Sequence, residues 1–201
     1  MLEPPCFVIS DTHLGAGPRE LEGQLLNFLR AVPGLARSLL INGDLFDFWF
    51  EWRTVIPRQH FRTLAALADA RDAGVEIMLV AGNHDCWGGD VLRRDVGITY
   101  HVGPWRGTLG GWRAEVEHGD GLRPREDRKY RLLRSVVRHP AAVRAFRLLH
   151  PDLGTRLARG SSHASRTHRP WGDAGAGLRT IALDRLAADP DLEMLLLGHS
   201  H

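Results

Sequence analysis

The sequence predicts an α/β fold, because short apolar runs alternate with helical patterns through its first hundred residues. Polar motifs rich in Asp, His and Asn come directly after these apolar runs, as they do in sheets that bind ligands at one edge. The length of 201 residues, with 43% hydrophobic and 25% charged residues, fits a single globular domain over residues 1–201.

The first half of the chain is predicted to form βαβ units, in which helices connect the strands of one sheet. Pro33-Gly34 ends the first helix, Pro57 suits the first turn of the second helix, and Gly74 suits its C-terminal end. The predicted elements are a strand at 7–9, a helix at 21–31, a strand at 39–41, a helix at 57–73, a strand at 75–80 and a short helix at 91–96.

The second half begins with a predicted hairpin, in which Gly110-Gly111 separates the segments 105–109 and 112–116. An insert at residues 122–177 follows. Its apolar residues recur at helical spacing, and Pro140 and Pro151 divide it into three predicted helices. The last part of the insert, 160–177, is rich in Ser, Gly and Arg and is predicted to be a loop. A helix at 178–188 and a strand at 194–197 complete the chain.

Charge is distributed unevenly along the chain, although the net charge is only +2. Residues 121–170 contain 13 of the 26 Lys and Arg residues and three acids, so this segment is strongly basic. A basic segment in a nearly neutral protein predicts an anionic partner, such as a phosphate, a nucleotide, a nucleic acid or a lipid head group. A solvated helical face without a ligand is the alternative explanation.

Composition argues against several protein classes. The chain has no run of eighteen apolar residues, so a membrane-spanning helix is not expected, and its first ten residues lack the pattern of a signal peptide. Its two cysteines, Cys6 and Cys86, are too few for a disulfide framework and indicate the reducing cytoplasm.

Five polar motifs follow predicted strands in chain order. Because ligands bind open sheets outside the carboxyl ends of the strands, we expect these motifs to converge on one place. Each motif alone is a weak signal, whereas the ordered set makes coincidence a poor explanation. The motifs are Ser10-Asp11-Thr12-His13, Asn42-Gly43-Asp44-Leu45-Phe46-Asp47, Gly82-Asn83-His84-Asp85, His118-Gly119-Asp120 and Gly198-His199-Ser200-His201.

The side chains of these motifs predict a site for hard or borderline divalent metal ions, since they offer carboxylate, imidazole and amide oxygen ligands and no thiolate. A bound divalent ion can lower the pKa of a water molecule and make it a nucleophile, in which case no Ser or Cys nucleophile is needed. We expect Asp47 and Asp120 to orient ligands or loops rather than to bind metal.

The ordered set resembles that of the calcineurin-like metallophosphoesterases, and the resemblance spans the chain from Asp11 to His201. It implies a four-layer α/β/β/α sandwich of two mixed sheets, with a helical insert as a lid. It also implies two divalent ions, with Mn²⁺ as the first choice and Fe, Zn²⁺ and Mg²⁺ as alternatives. The implied ligands are Asp11, His13 and His201 for one ion, Asn83, His118 and His199 for the other, and Asp44 as a bridge.

The resemblance further implies two catalytic residues. His84 would lie beside the substrate phosphate as an electrostatic stabiliser or a general acid. Asp85 would pair with His84 and fix the tautomer of its ring. A non-catalytic scaffold of the same fold is disfavoured, because every ligand position of the pattern is filled.

Within the family, the segments from Gly43 to Trp49 and from His118 to Leu122 resemble the UDP-2,3-diacylglucosamine hydrolase subgroup. This implies hydrolysis of a phosphoester or pyrophosphate bond in that compound, or in another phosphorylated small molecule or lipid-linked nucleotide. It also implies a lid over lipid chains and peripheral contact of a cytoplasmic protein with the inner membrane. The residues expected to bind substrate are Tyr130, Arg159, Ser162 and Arg166.

Two departures from the pattern leave alternatives open. The subgroup carries Arg where this chain has His84, so a phosphodiesterase or nuclease acting on nucleotides or nucleic acid is the alternative function. The family also continues past the Gly-His-x-His motif into further strands. We therefore expect C-terminal strands beyond His201.

Overall fold

The first sheet contains the strands of the βαβ units and is parallel throughout. The computed structural model describes residues 1–124, 127–167 and 175–200, apart from the side chains of Arg19, Arg159 and residues 161–167. Within these residues the strand order is β1-β2-β3-β4. The strands are β1 (Cys6–Ile9), β2 (Ser38–Ile41), β3 (Glu76–Ala81) and β4 (Thr99–Val102).

The second sheet is mixed and has the order β5-β6-β7. β5 (Trp105–Leu109) and β6 (Trp112–Glu117) form an antiparallel hairpin, and β7 (Met194–Leu197) lies parallel to β6. Gly110 and Gly111 have φ angles of 58° and 96°, the left-handed region that a tight hairpin turn requires. The hairpin prediction is therefore confirmed.

Two helices, α1 (Arg19–Leu35) and α2 (Phe61–Asp72), cover one face of the first sheet. Leu39 and Ile41 of β2 face these helices, whereas Leu40 faces the second sheet. This alternation is that of a strand buried on both faces, which is why its sequence is a continuous apolar run.

The outer face of the second sheet is covered by α6 (Ala176–Ala188) through ion pairs. Arg185 Nη1 lies 2.6 Å from Glu115 Oε1 and 2.8 Å from Glu117 Oε2, and both glutamates project from β6. This helix completes the four layers of the α/β/β/α sandwich. The fold expected from the family resemblance is confirmed, with one sheet parallel and the other mixed.

The described part of the basic insert forms three helices before α6: α3 (Arg128–Val137), α4 (Pro140–Arg147) and α5 (Pro151–Thr167). An aromatic cluster attaches them to the loop after β2, where Phe50 and Trp52 pack against Phe146 of α4. A Cβ on Gly154 of α5 would lie 2.9 Å from the Trp52 ring, so α5 packs closely on the same cluster. No described helix is long and apolar enough to cross a lipid bilayer.

Some boundaries differ from the sequence predictions. α1 continues past Pro33 to Leu35, because a proline in the last turn removes only one of its hydrogen bonds. The second predicted helix comprises a 3₁₀ turn at Arg58–His60 and then α2, and the short helix at Val91–Asp95 is a π-helical turn. The predicted loop at 160–177 is wrong in its first part, since α5 extends to Thr167.

Candidate metal centre

The five polar motifs meet where β1, β2, β3, β6 and β7 end, and backbone hydrogen bonds join their loops. His13 N donates to Asp44 O at 2.9 Å, and His84 N donates to Asp44 Oδ1 at 2.9 Å. His199 N donates to Asp11 Oδ1 at 3.1 Å, which brings the last motif against the first. The predicted convergence of these motifs is therefore what the fold produces.

Four residues at the strand ends have a left-handed backbone. Among the described non-glycine residues, those with positive φ are Asp11 at 54°, His13 at 43°, Asp44 at 51° and His199 at 69°. This conformation is unfavourable for residues with a Cβ and concentrates at functional sites. All four are predicted metal ligands, so the backbone is strained where ligand placement matters.

Glycines allow the loops to approach each other closely at this site. A Cβ on Gly82 would lie 2.7 Å from Asp44 N, and one on Gly43 would lie 2.8 Å from Gly82 N. Real Cβ atoms do not approach backbone so closely. Gly43 also has a φ of 78°, which favours glycine.

Asp44 is buried at the centre of the site. Its Oδ2 lies 3.1 Å from His118 Nε2, 3.7 Å from His13 Nε2 and 4.0 Å from His84 Nε2. Among the residues that the structure describes, two groups of side chains could hold a metal ion, and each has its ligand atoms within 4.8 Å of one another. Asp44 belongs to both, as a bridging carboxylate should. The groups are His13, Asp44 and His84, and Asp44, His118 and His199.

The ring of His118 is oriented by a backbone carbonyl. Its Nδ1 donates to Asn42 O at 3.1 Å, which leaves Nε2 facing Asp44. Burial would lower the pKa of His118, but the hydrogen bond to Asp44 and the charges of Asp44 and Asp11 raise it to about 9. For Asp44 the two effects have the opposite directions. Burial would raise its pKa, but the hydrogen bond and the charge of His118 hold that pKa below its usual value. A divalent cation would replace the shared proton.

A buried amide oxygen supports the fit of a metal ion. Asn83 Oδ1 is buried and has no hydrogen-bond partner among the described residues. An unsatisfied buried acceptor costs about 1–3 kcal/mol, and a metal–oxygen bond would remove that cost. Together with the carboxylates and imidazoles around Asp44, this oxygen completes a donor set that suits hard or borderline divalent ions.

The expected pairing of His84 with Asp85 is wrong. Asp85 is fully buried and accepts hydrogen bonds from Leu45 N at 2.8 Å and Gly82 N at 2.7 Å, so it joins two loops. Burial and the charge of Asp44 raise its pKa to about 6. His84 Nδ1 instead lies 2.6 Å from Asp47 O, and the Asp47 carboxylate is 3.6 Å away. Asp47 therefore orients His84, because Asp85 is held by backbone amides.

Residues of the insert reach the edge of the site. The Tyr130 ring lies 6.5 Å from the His199 ring, and its hydroxyl donates to Asp120 Oδ2 at 2.7 Å. Asp120 also binds Arg134 and Arg138, which are absent from the sequence-based site. Arg134 and Arg138 follow Tyr130 by four and eight residues, so all three lie on one face of α3 and its C-terminal cap, and this spacing would have indicated them. The predicted site residues outside the description are His201 and the side chains of Arg159, Ser162 and Arg166.

Comparison with known proteins agrees with this geometry. The family model described as calcineurin-like phosphoesterase matches residues 4–201. The UDP-2,3-diacylglucosamine hydrolase of Porphyromonas gingivalis is 31% identical over 215 residues, covering 97% of this chain and 82% of the relative. The enzyme of the same name from Neisseria meningitidis serogroup A is 32% identical over 205 residues, covering 98% of this chain and 82% of the relative.

Proposed function

The chain belongs to the calcineurin-like phosphoesterase family, and from that membership we propose that it hydrolyses the pyrophosphate bond of UDP-2,3-diacylglucosamine or a similar lipid-linked nucleotide. Membership makes the protein a hydrolase that depends on divalent metal ions. The observation that carries the proposal is the shared position of Asp44 between two groups of metal-binding side chains.

In this proposal each ion has its own ligands, and Mn²⁺ is the preferred metal. When bound, the two ions lower the pKa of the attacking water and neutralise charge on a phosphoryl oxygen. Asp44 would contribute to both positions, and its negative charge would reduce the repulsion between the two ions. The remaining ligands are Asp11, His13 and His201 for one ion and Asn83, His118 and His199 for the other.

His84 is the proposed catalytic side chain beside the substrate. Its Nδ1 lies against the carbonyl oxygen of Asp47, so its Nε2 faces the centre of the site. From there Nε2 can donate a hydrogen bond to a phosphoryl oxygen or a proton to the leaving oxygen. Asp85 contributes by holding the Gly82 and Leu45 amides in place.

The insert at residues 122–177 is proposed to bind the rest of the substrate. Tyr130 already lies beside His199 at the edge of the site. Arg159, Ser162 and Arg166 are proposed to contact the nucleotide or its phosphates, since arginine suits phosphate recognition. Acyl chains would then lie along apolar residues of the insert.

A phosphodiesterase or nuclease is the second candidate function, favoured by the basic charge of residues 121–170. Binding to nucleic acid through these charges would weaken steeply with salt, because each neutralised phosphate releases counterions. Steep salt dependence of binding and turnover of DNA, with no turnover of the lipid-linked nucleotide, would favour this candidate.

The main test is metal-dependent hydrolysis. We expect the chelator-treated protein to be inactive on bis-p-nitrophenyl phosphate and UDP-2,3-diacylglucosamine, and Mn²⁺ to restore activity on both. Cleavage of the diester is followed by the absorbance of the p-nitrophenolate released, and pyrophosphate cleavage by formation of UMP. Failure of Mn²⁺, Fe, Zn²⁺ and Mg²⁺ to support any turnover would contradict the proposed function. Turnover of nucleotides without turnover of UDP-2,3-diacylglucosamine would contradict the proposal of a lipid-linked substrate.

We also propose peripheral contact of a cytoplasmic protein with the inner membrane, through the insert. Its helices expose Leu132, Leu133 and Val136 of α3 and, after α4, Leu148, which is 88% exposed. Basic residues are close to these apolar residues in the sequence, so an anionic bilayer would attract the charges while its interior takes up the apolar side chains. No described helix spans a bilayer, so contact would be at the surface.

Vesicle binding tests this contact. We expect the protein to sediment with vesicles of phosphatidylglycerol and phosphatidylcholine. Replacing Leu132 and Leu148 together by serine should weaken binding at least about tenfold, because each buried leucine contributes roughly 1.5–3 kcal/mol. Leu183→Ser on α6 is the matched control, since Leu183 is also exposed but lies outside the insert. Equal binding by both variants would contradict the contact.

A further inference from the structure

Three side chains from one face of α3 and its C-terminal cap residue, Arg138, converge on a single carboxylate. Asp120 Oδ2 accepts from the Tyr130 hydroxyl at 2.7 Å and from Arg138 Nη2 at 3.0 Å, and Arg134 Nε lies 3.4 Å away. Arg134 Nη1 also donates to the Asp120 carbonyl at 2.6 Å. Asp120 thus holds the helix face that carries both arginines.

Asp120 and Arg138 connect α3 to two loops of the metal centre. Asp120 is two residues from His118, and Arg138 Nη2 also lies 3.4 Å from Gly82 O, directly before Asn83. The Trp87 indole donates to the Val137 carbonyl at 3.1 Å and fixes the end of the helix. The guanidinium of Arg138 therefore lies beside the loop that carries Asn83 and His84.

The charges in this cluster do not cancel. Arg134 and Arg138 share one acid, which is 3% exposed, so one positive charge remains beside the metal centre. The Arg138 side chain is 19% exposed and the Arg134 side chain 25%, so an anionic ligand can reach them. A guanidinium binds phosphate oxygens through paired N–H groups, and holding it in advance reduces the entropy lost on binding.

We propose that Asp120 is a positioning residue and that Arg138, which it holds, binds a second phosphate group of the substrate beside the one that is cleaved. This assignment rests on the proposed function, because a pyrophosphate substrate carries two adjacent phosphates. A phosphodiester with a single phosphate would make less use of Arg138. The pair therefore contributes to preference for pyrophosphate over simple diesters.

The test compares two substrates. For Arg138→Met, we expect the ratio of kcat/KM on UDP-2,3-diacylglucosamine to kcat/KM on bis-p-nitrophenyl phosphate to fall roughly 10- to 100-fold, the value of a charged hydrogen bond. The loss should appear in kcat as well as in KM, because the second phosphate of a pyrophosphate is the leaving group and gains negative charge as the P–O bond breaks. Arg138→Lys should recover part of the ratio, and Lys129→Ala, which removes an exposed cation of the same helix, should leave it unchanged.

A double-mutant cycle separates positioning from a structural role. Asp120→Asn should lower the same ratio, and in the Arg138→Met background it should lower it no further, because both changes remove one arrangement. Metal content and melting temperature of each variant are measured alongside. An unchanged ratio in Arg138→Met, whether both kcat/KM values stay the same or fall by the same factor, would overturn the inference while the proposed function stands. A wild-type protein that cleaves neither substrate would overturn both.

Discussion

Asp44→Ala is expected to abolish hydrolysis, with a fall in kcat/KM of at least about a thousandfold. Metal ions supply several kcal/mol of charge stabilisation in such sites, and each 1.4 kcal/mol changes a rate about tenfold. Asp44 is the acid shared by both groups of metal-binding side chains, so its loss affects both positions. The measurement is turnover of bis-p-nitrophenyl phosphate with Mn²⁺, together with the number of metal ions bound per protein.

Asp184→Ala is the matched control, because Asp184 is an exposed acid on α6, away from the site. It should retain wild-type turnover and metal content. The physical reason for the contrast is burial. Asp44 faces His13, His84 and His118 within 4.0 Å, and an alanine there leaves those imidazoles without their common acid. An active Asp44→Ala protein with its full metal content would contradict the bridging role.

His84→Ala is expected to lower kcat by about 100- to 10,000-fold on a substrate with a poor leaving group, since general acids contribute that range. The loss should be smaller for p-nitrophenyl esters, because their leaving group needs little protonation. His84 Nε2 also lies near enough to Asp44 and His13 to bind a metal ion. The variant therefore distinguishes two roles, and its metal content is measured with its kinetics.

Unchanged metal content with the expected dependence on the leaving group would support general acid catalysis. An equal loss on all leaving groups would assign His84 to electrostatic stabilisation, and loss of one ion per protein would make it a ligand. His150→Ala is the control, because the His150 side chain is 74% exposed and lies in the insert. Asp47→Ala removes the carboxylate 3.6 Å from His84 Nδ1 but keeps the carbonyl contact, so it should reproduce only part of the His84 loss.

Most of the fold could be predicted from the sequence because its signals are local. Apolar runs, the Gly110-Gly111 turn and the prolines at 140 and 151 each determine structure within a few residues. β4 has no counterpart among the predictions, since four residues with two polar side chains carry little strand signal. Its assignment depends on tertiary contacts, in which Tyr100 is buried and donates to Asp85 O at 2.8 Å. The continuation of α5 past Gly160 likewise follows no local signal.

The candidate site shows the same division. The strand-end motifs, by their types and order, predicted Asp44, His13, His118 and His199 as neighbours, and the strand ends of the two sheets bring them together. The partner of His84 could not be predicted in this way. Adjacent residues such as His84 and Asp85 point in different directions at a tight turn, and a residue from another loop, Asp47, lies against the ring.

The sequence by itself determined the fold class and the family and predicted the chemistry of the metal ligands, because these depend on residue types placed directly after strands. Only the tertiary structure decided which groups orient the side chains of the site. Asp47 on His84, Asn42 on His118 and Asp120 on the arginines of α3 are contacts between segments distant in the chain. Hydrogen-bond geometry between such segments depends on how the layers pack, and no local pattern encodes it.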